Sequence, residues 1–335
     1  MSATGTAAGA GRRTIAVMVL IPFAVALTLW AFAWPAARTA PRELPIGVAG
    51  PATAVSTLEQ DLARHAGAFE VHRYADGAAA RAAIENRDVY GAVVVTPGGT
   101  ELLTASAASP VVAGLLREAV TARAPQGTGI PVTDVVAAPA GDPRGAVLAS
   151  SLLPLALAGA AAGVAVTLLG LRGGRAVAAL TGAAALAGAV GAALAHSWLG
   201  ALGGNWWAEA GVLSLTVLAI GSTFAGLAAL MGKPGLGLGA LLVILLGNPF
   251  SGVSSAPELL PAPVGALGQW LPPGAAGSAL RSVSSFDGAA AGGPLLVLAL
   301  WATAGLTAVA LGARRRIESE EQAPAAATPA PARAG

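Results

Sequence analysis

The sequence predicts an α-helical integral membrane protein with about six transmembrane helices and a small α/β domain outside the cytoplasm, between helices 1 and 2. Hydrophobic residues make up 55% of the 335 residues and charged residues only 11%, whereas about a quarter of the residues of a soluble domain are charged. The apolar residues lie in long uninterrupted blocks, and charge is dispersed along only one region, 36–146. The bilayer, rather than a second soluble core, therefore accommodates the apolar blocks.

Six stretches are candidate membrane spans, because a helix needs about 20 apolar residues to cross roughly 30 Å of hydrocarbon at about 1.5 Å per residue. Five are uncharged and long enough, the last of them once the Gly- and Ala-rich stretch before it is included: 14–34, 147–171, 176–195, 211–231 and 295–312. The sixth, 235–247, covers only about 20 Å before Asn248 and Pro249 interrupt it, so it either continues as a kinked helix or turns back. Residues 147–312 thus form a predicted five-helix membrane domain.

The first span has an alternative interpretation as a cleaved signal peptide. Arg12 and Arg13 precede it, and Ala31-Phe32-Ala33 resembles a small-residue cleavage site. Its roughly 20 apolar residues exceed the usual 7 to 15 of a signal peptide, which favours a span. Cleavage would leave the later spans and the same outer domain.

Basic residues flanking the spans predict that both termini are cytoplasmic, because cytoplasmic loops retain Lys and Arg. Eight of them lie on one side of the membrane, at positions 12, 13, 172, 175, 233 and 314–316, whereas the short loops opposite hold only Arg281. Residues 1–13 are therefore a predicted cytoplasmic amino terminus, and the Pro-rich residues 313–335 a predicted disordered cytoplasmic tail. Basic residues that are nearly all Arg, together with abundant Ala and Gly, indicate a GC-rich bacterial genome and hence the bacterial plasma membrane.

Region 36–146 shows the alternation of strands and helices that predicts a small α/β domain built from βαβ units. The predicted strands are 44–49, 69–74, 90–96 and 101–105. The third is the most apolar and is expected at the centre of the sheet. Ser56 with Glu59 forms a predicted capping box, and Asp76 and Ser109 are predicted to cap the next two helices. Residues 126–144, rich in Pro and Gly, are an expected linker back to the membrane.

The motifs of common enzymes and of nucleic-acid-binding proteins are absent from the sequence. The nearest match to a phosphate-binding loop, 226–233, has one residue too many and is followed by Pro234 in place of a hydroxyl residue. His65, His72 and His196 have no second histidine at metal-binding spacing, so we expect ordinary surface histidines and no metal. A net charge of +2, with no Lys/Arg cluster on a periodic helix or among aromatic residues, argues against nucleic-acid binding. We expect no enzymatic activity and no cofactor, and contacts with membrane lipids.

Pairs of small residues four positions apart occur in several spans, and such pairs let membrane helices approach closely. They are Gly159 with Gly163, Ala187 with Gly191, and Gly221 with Ala225. The pairs predict packed helices and give weak support to a homodimer. Because the predicted spans contain no ionisable residue, ion-coupled transport is disfavoured.

The segment 248–288 is too apolar for an ordinary outer loop and too interrupted by Pro and Gly for a span. One interpretation is a re-entrant segment that enters the membrane and returns, which requires shelter by protein or a water-lined cavity. An interfacial loop is the alternative. The candidate functional residues of this segment, as positions along a transport pathway, are Asn248, Pro249, Gly252, Pro272 and Arg281.

At these residues the sequence resembles the ABC type 2 permease superfamily, especially the branch related to the phage infection protein. That branch has one span, an outer domain and then five spans with a re-entrant outer segment before the last. The resemblance covers nearly the whole chain and rests on short motifs: NPFSG at 248–252, LP at 260–261 and 271–272, ALR at 279–281, and GDPRG at 141–145.

The resemblance implies a permease-like membrane subunit of an export system for a lipophilic or cell-envelope substrate, in which two copies form the conduit and a separate ATP-binding subunit supplies the energy. The chain departs from the family in its short segments 1–13 and 172–175, which leave little for an ATPase to contact. This departure favours the alternative of a non-transporting envelope membrane protein whose outer domain binds a surface partner. A membrane-tethered sensor is a third interpretation, weakened by the number of further spans.

Overall fold

The computed structural model describes residues 4–122 and 129–321. The helices in these ranges are α1 (Thr4–Ala37), α2 (Ala52–Ala63), α3 (Gly77–Glu85), α4 (Pro110–Thr121), α5 (Ala146–Leu168), α6 (Gly173–Ala192), α7 (Trp206–Met231), α8 (Lys233–Ala240), α9 (Val264–Gln269), α10 (Pro272–Ser285) and α11 (Gly292–Glu321). Two helices continue as π-helical stretches: α6 into Ala193–Trp198 and α8 into Leu241–Gly247.

Among the described residues, five helices are long and apolar enough to cross a membrane: α1, α5, α6 with its extension, α7 and α11. They coincide with the five longer predicted spans. The sixth candidate forms a shorter apolar helix, Lys233–Gly247, which extends only about 22 Å at 1.5 Å per residue. The chain forms a turn directly after it, at Asn248 and Pro249.

Helix α7 forms the centre of the helical bundle and packs against α5, α6, α8, α10 and α11. Of the residues in its most apolar stretch of 18, 72% are buried. Glycines make these contacts close: a Cβ on Gly163 of α5 would lie 2.4 Å from the backbone oxygen of Gly221 on α7. Gly159 likewise faces Ile220. These small residues pack helices within one chain, so they give no support to the homodimer, which stays a prediction.

Helix α1 lies at the edge of the bundle. Only 6% of its most apolar window is buried, and its main contact with the other membrane helices is with Leu241–Gly247. Its apolar side chains, including Met18 and Phe23, remain largely exposed. Since exposed apolar surface of this extent is stable only in lipid or against another protein, α1 has the character of a membrane helix.

The α/β domain contains one five-stranded sheet with the order β2-β1-β3-β4-β5. The strands are β1 (Leu44–Ala49), β2 (Phe69–Tyr74), β3 (Gly91–Thr96), β4 (Gly99–Thr104) and β5 (Val132–Asp134). The four predicted strands and the central place of β3 are confirmed. Two features differ: β3 and β4 form an antiparallel hairpin, and the expected linker contributes β5, which pairs parallel to β4.

The predicted helix caps are confirmed at two of three positions. Asp76 accepts a hydrogen bond from Ala79 N, and Ser109 accepts one from Val112 N. The capping box of Ser56 with Glu59 is wrong, because α2 begins four residues earlier, after Pro51, and Ser56 lies within it. Pro51 stands at the N-cap position of this helix, and no side-chain hydrogen bond caps its first turn.

The predicted tail is also corrected in part. Helix α11 continues past the membrane-length stretch to Glu321, so residues 313–321 are helical rather than disordered. Residues 322–335 lie outside the described residues. At the amino end, helix α1 already begins at Thr4, within the segment predicted as a cytoplasmic terminus.

Candidate functional site

The broken segment, residues 248–288, consists of a turn, a 3₁₀ turn at Pro257–Leu259, and the helices α9 and α10. Nearly all of α10 is buried, and it packs against α5, α7 and α11. Irregular backbone is tolerated at membrane depth only where protein or a water-lined cavity shelters it. The burial of this segment therefore meets the physical requirement for a re-entrant segment.

Residues of the broken segment complete the hydrophobic core of the α/β domain. Ala256 and the fully buried Leu259 pack in one cluster with Leu44 and Leu102 of the sheet. Phe286, which follows α10, packs in the second cluster, between α3 and the sheet. Burial of a leucine side chain contributes about 1.5–3 kcal/mol, so these contacts hold the domain directly on the segment.

Backbone hydrogen bonds reinforce this attachment where the chain enters the α/β domain. Ala40 N donates to Leu259 O (3.0 Å), and Arg42 N donates to Glu258 O (2.9 Å). The Arg42 guanidinium also donates to Leu259 O (2.9 Å) and to Arg38 O (2.8 Å). The start of the domain is therefore paired with the 3₁₀ turn of the broken segment.

Arg87 forms a polar link between the domain and α10. Its guanidinium donates to Ser278 O (3.0 Å) and to the hydroxyl of Ser282, and it lies over the Phe286 ring at 5.2 Å from the centroid. Arg87 has a φ of 65°, a left-handed conformation that costs a non-glycine residue about 1–2 kcal/mol. This strain is offset by charge-assisted hydrogen bonds and a cation–π contact.

Tyr90 and Glu258 form a second link across the same boundary. Tyr90 lies immediately before β3, and its hydroxyl donates to Glu258 Oε2 at 2.7 Å. Burial, followed by the nearby Glu258 carboxylate, raises the pKa of Tyr90 well above its ordinary value. Tyr90 therefore stays neutral and keeps the proton that it donates to the carboxylate.

Arg281 extends from α10 into the same region and is only 6% exposed. Its Nη2 donates to Val253 O at 2.9 Å. Within the described part of the chain, no carboxylate lies within 4.0 Å of Arg281 or Arg87. Buried charges are stable when they are paired and hydrogen-bonded, and the carboxylate that acts electrostatically on Arg281 from a longer distance is Glu258.

These residues surround a polar cavity of about 690 Å³ between the α/β domain and the broken segment. Its lining includes Arg87, Tyr90, Glu258, Gln269 and Arg281. It lies at the amino ends of β1 and β3, whereas ligands of open α/β sheets usually bind at the carboxyl ends. The broken segment, which lies beneath these amino ends, supplies half of the wall.

The structure distributes the five predicted pathway residues over different environments. Asn248, Pro249 and Gly252 line a second cavity of about 430 Å³, together with the end of α1 and the start of α5. Pro272 is buried at the first turn of α10. Arg281 alone of the five lines the polar cavity. The structure therefore does not bring all five together.

Sequence reasoning missed Arg87, Tyr90, Glu258 and Arg42. Glu258 lies within the broken segment, from which the candidate residues were taken. It is the one acidic residue of that segment before the start of α10. Arg87 and Tyr90 belong to the α/β domain, and each lies more than 160 residues away in sequence from its partner in the segment. No local pattern marks them.

A separate hydrogen-bonded pair with a buried carboxylate lies at one end of the bundle. Glu209, in the first turn of α7, is fully buried and accepts hydrogen bonds from Gly204 N (2.9 Å) and pairs with His196 Nδ1 (2.8 Å). The prediction of an ordinary surface histidine is therefore wrong for His196. Among the residues that the structure describes, no group of three or more His, Asp and Glu side chains could hold a metal ion.

Five apolar helices of membrane length and a small mixed sheet define the class of this protein as an α-helical membrane-type protein with an α/β domain packed on its helical bundle. Comparison with family models, with curated proteins and with solved structures finds no match. A more particular assignment therefore depends on the chemistry of the site.

Proposed function

We propose that this chain is the membrane subunit of an ABC type 2 export system for a lipophilic or cell-envelope substrate, with a separate ATPase as its source of energy. In this proposal the chain lies in the bacterial plasma membrane, crosses it about six times and has both termini in the cytoplasm. The α/β domain then lies outside, and the broken segment enters the outer half of the membrane and returns.

One observation carries the proposal: the α/β domain shares its hydrophobic core with a buried, interrupted segment of the bundle. Leu259 and Phe286 of the segment are core residues of the domain, and Arg87 of the domain bonds to α10. A domain that served only as an exposed binding module would not need such contacts. A domain that receives or releases substrate at the outer end of a pathway would need them, because its movement must be coupled to the helices.

The proposed topology can be tested by cysteine labelling, since the chain has no cysteine of its own. Gln60→Cys places a thiol on an exposed position of α2, and Gly174→Cys places one at an exposed position near the start of α6. A membrane-impermeant maleimide should label Gln60→Cys in intact cells, but should label Gly174→Cys only after the cells are permeabilised. The reverse pattern would overturn the proposed orientation.

Export requires a partner, so the second test is biochemical. The intact chain should co-purify with an ATP-binding protein, and its deletion should slow the efflux of a lipophilic dye or the delivery of an envelope lipid. Purification without an ATPase, together with unchanged efflux after deletion, would refute the exporter.

A second candidate is a non-transporting envelope protein whose outer domain binds a surface partner. It is favoured by the connection between α5 and α6, which is only the four residues 169–172. Such a short loop offers an ATPase little surface. If this candidate is right, deletion should abolish binding of the surface partner to cells while efflux stays at its original rate.

A further inference from the structure

The polar cavity contains a guanidinium that forms no ion pair within the described residues. Arg281 is 94% buried (6% exposed), and its hydrogen bond within the described residues is to Val253 O. No nitrogen atom of Arg281 is both fully enclosed by the described residues and without a hydrogen-bond partner. Its remaining donors are therefore available to a ligand in the cavity that it lines.

Arg87 brings a second guanidinium to the same wall. It bonds to Ser278 and Ser282, which flank Arg281 within one turn of α10. Of the described carboxylates, Glu258 alone acts electrostatically on both arginines, and it already accepts the Tyr90 hydroxyl. The inner part of the cavity therefore has one uncompensated positive charge.

The mouth of the cavity has the opposite sign. The exposed carboxylates of Glu43, Glu70 and Asp88 line it, and Glu70 lies 3.3 Å from His72. Arg42 also lines the cavity, but its guanidinium is bonded to backbone oxygens. A ligand that matches this arrangement carries a negative charge at its inner end and a positive charge at its outer end.

The cavity also has a neighbour of mixed lining that leads towards the membrane helices, with Thr39, Asn248 and Ser251 among its polar residues. Leu260 lines both the polar cavity and the second cavity. The second cavity is bordered by Phe32 and Pro35 of α1 and by Leu152 of α5. An amphiphile could place its charged group in the first cavity and its hydrocarbon in the second.

We propose that the polar cavity binds a zwitterionic phospholipid headgroup of the phosphoethanolamine type. Arg87 and Arg281 bind the phosphate, because guanidinium groups match phosphate oxygens in charge and geometry. The carboxylates at the mouth bind the ammonium group. A volume of about 690 Å³ lies in the range of small-molecule sites, about 300–1,000 Å³. The inference rests on the proposed function only in placing the cavity at a membrane surface.

Binding can be measured with the purified full chain in an uncharged detergent, by native mass spectrometry or titration calorimetry. Short-chain phosphatidylethanolamine is compared with short-chain phosphatidylglycerol, which has the phosphate without the ammonium, and with free phosphoethanolamine. Arg281→Gln should weaken phosphatidylethanolamine binding about tenfold or more, since a hydrogen bond to a charged group contributes about 1.5–3 kcal/mol and 1.4 kcal/mol is tenfold. Arg117→Gln, an exposed arginine of α4, is the matched control and should bind as the original chain does.

Asp88→Asn combined with Glu43→Gln changes only exposed side chains and therefore tests the proposal even if Arg281→Gln fails to fold. This double variant should lower the ratio of phosphatidylethanolamine affinity to phosphatidylglycerol affinity towards one, with little change in phosphatidylglycerol binding. Equal binding of both lipids by the original chain, or full affinity in folded Arg281→Gln, would overturn the proposal.

Free phosphoethanolamine that binds as tightly as the lipid would support the headgroup site and assign its ligand to a soluble source. The assay requires neither an ATPase nor transport. Headgroup binding, with no co-purified ATPase and unchanged efflux after deletion, would refute the exporter and leave this inference standing. An ATPase partner without headgroup binding would do the reverse.

Discussion

Leu259→Ala should release the α/β domain from the broken segment. Leu259 is fully buried in the core that the segment shares with the sheet, whereas Leu267, eight residues later on α9, is 53% exposed. The two substitutions remove the same atoms from the same segment. Any difference between them therefore reports the environment of the side chain.

Truncation of a buried leucine to alanine costs about 2–5 kcal/mol, and an exposed substitution changes stability by about 0.5 kcal/mol or less. Because the atoms removed from Leu259 lie between two parts of the fold, most of this cost should appear as weaker attachment of the domain. Local opening becomes about tenfold more frequent for every 1.4 kcal/mol. Leu259→Ala should therefore raise opening roughly 30-fold or more, and Leu267→Ala about twofold at most.

Hydrogen exchange measures this opening directly, because the amides of Ala40 and Arg42 are bonded to the backbone oxygens of Leu259 and Glu258. A peptide covering 38–43 should exchange much faster in Leu259→Ala and at nearly the original rate in Leu267→Ala. Equal rates in the two variants would refute the shared core as the attachment of the domain.

Four further predictions concern other parts of the fold. Gly163→Ala should lower the thermal midpoint by overpacking against α7, at a cost of about 1–3 kcal/mol. Gly182→Ala should leave the midpoint unchanged, because a Cβ at Gly182 would meet no atom within 4 Å. Glu209→Ala should lower the same midpoint, because it removes the hydrogen bonds to Gly204 N and His196, and a hydrogen bond to a charged group contributes about 1.5–3 kcal/mol. Tyr90 has a raised pKa, so the stabilisation from its neutral hydroxyl is complete below its unfolded pKa of about 10 and is lost as pH rises further. When the pH is raised from neutral to above 10, the original chain should therefore lose more stability to denaturation than Tyr90→Phe does. The hydrogen bond from Arg73 lowers the pKa of Glu59, so the stabilisation from this pair is complete above about pH 4.5 and is lost as pH falls further. The difference in thermal midpoint between the original chain and Glu59→Gln should therefore shrink as pH falls below about 4.5.

Much of the secondary structure follows from local patterns in the sequence. The membrane-length helices could be predicted because each is a run of about 20 uncharged residues, and that length is imposed by the bilayer. β3 could be placed at the centre of the sheet because a strand covered on both faces must be apolar along its length. The caps at Asp76 and Ser109 are equally local, since each side chain bonds within three residues.

The remaining features depend on contacts that no local pattern encodes. β5 has only three residues and lies in a Pro- and Gly-rich stretch, and it becomes a strand because β4 offers a free edge. Glu209 and His196 are brought together by the turn between α6 and α7, so their pairing has no helical spacing to reveal it. The polar cavity requires Arg87 and Arg281, which are nearly 200 residues apart in the chain.

The position of the cavity has a mechanical consequence. One wall belongs to the α/β domain and the other to α10, which packs against α5, α7 and α11. In one arrangement the two walls are together and in another they are apart. A ligand shifts the equilibrium between these arrangements only if it binds one of them more tightly than the other. An acidic group held by Arg87 from the domain and Arg281 from α10 contacts both walls only while they are together, so its binding energy favours the attached arrangement. Loss of that group would leave two guanidinium ions facing each other with Glu258 as their shared counter-ion, and the repulsion would favour separation. An acidic ligand between Arg87 and Arg281 would thus add to the attachment that the shared hydrophobic core already provides.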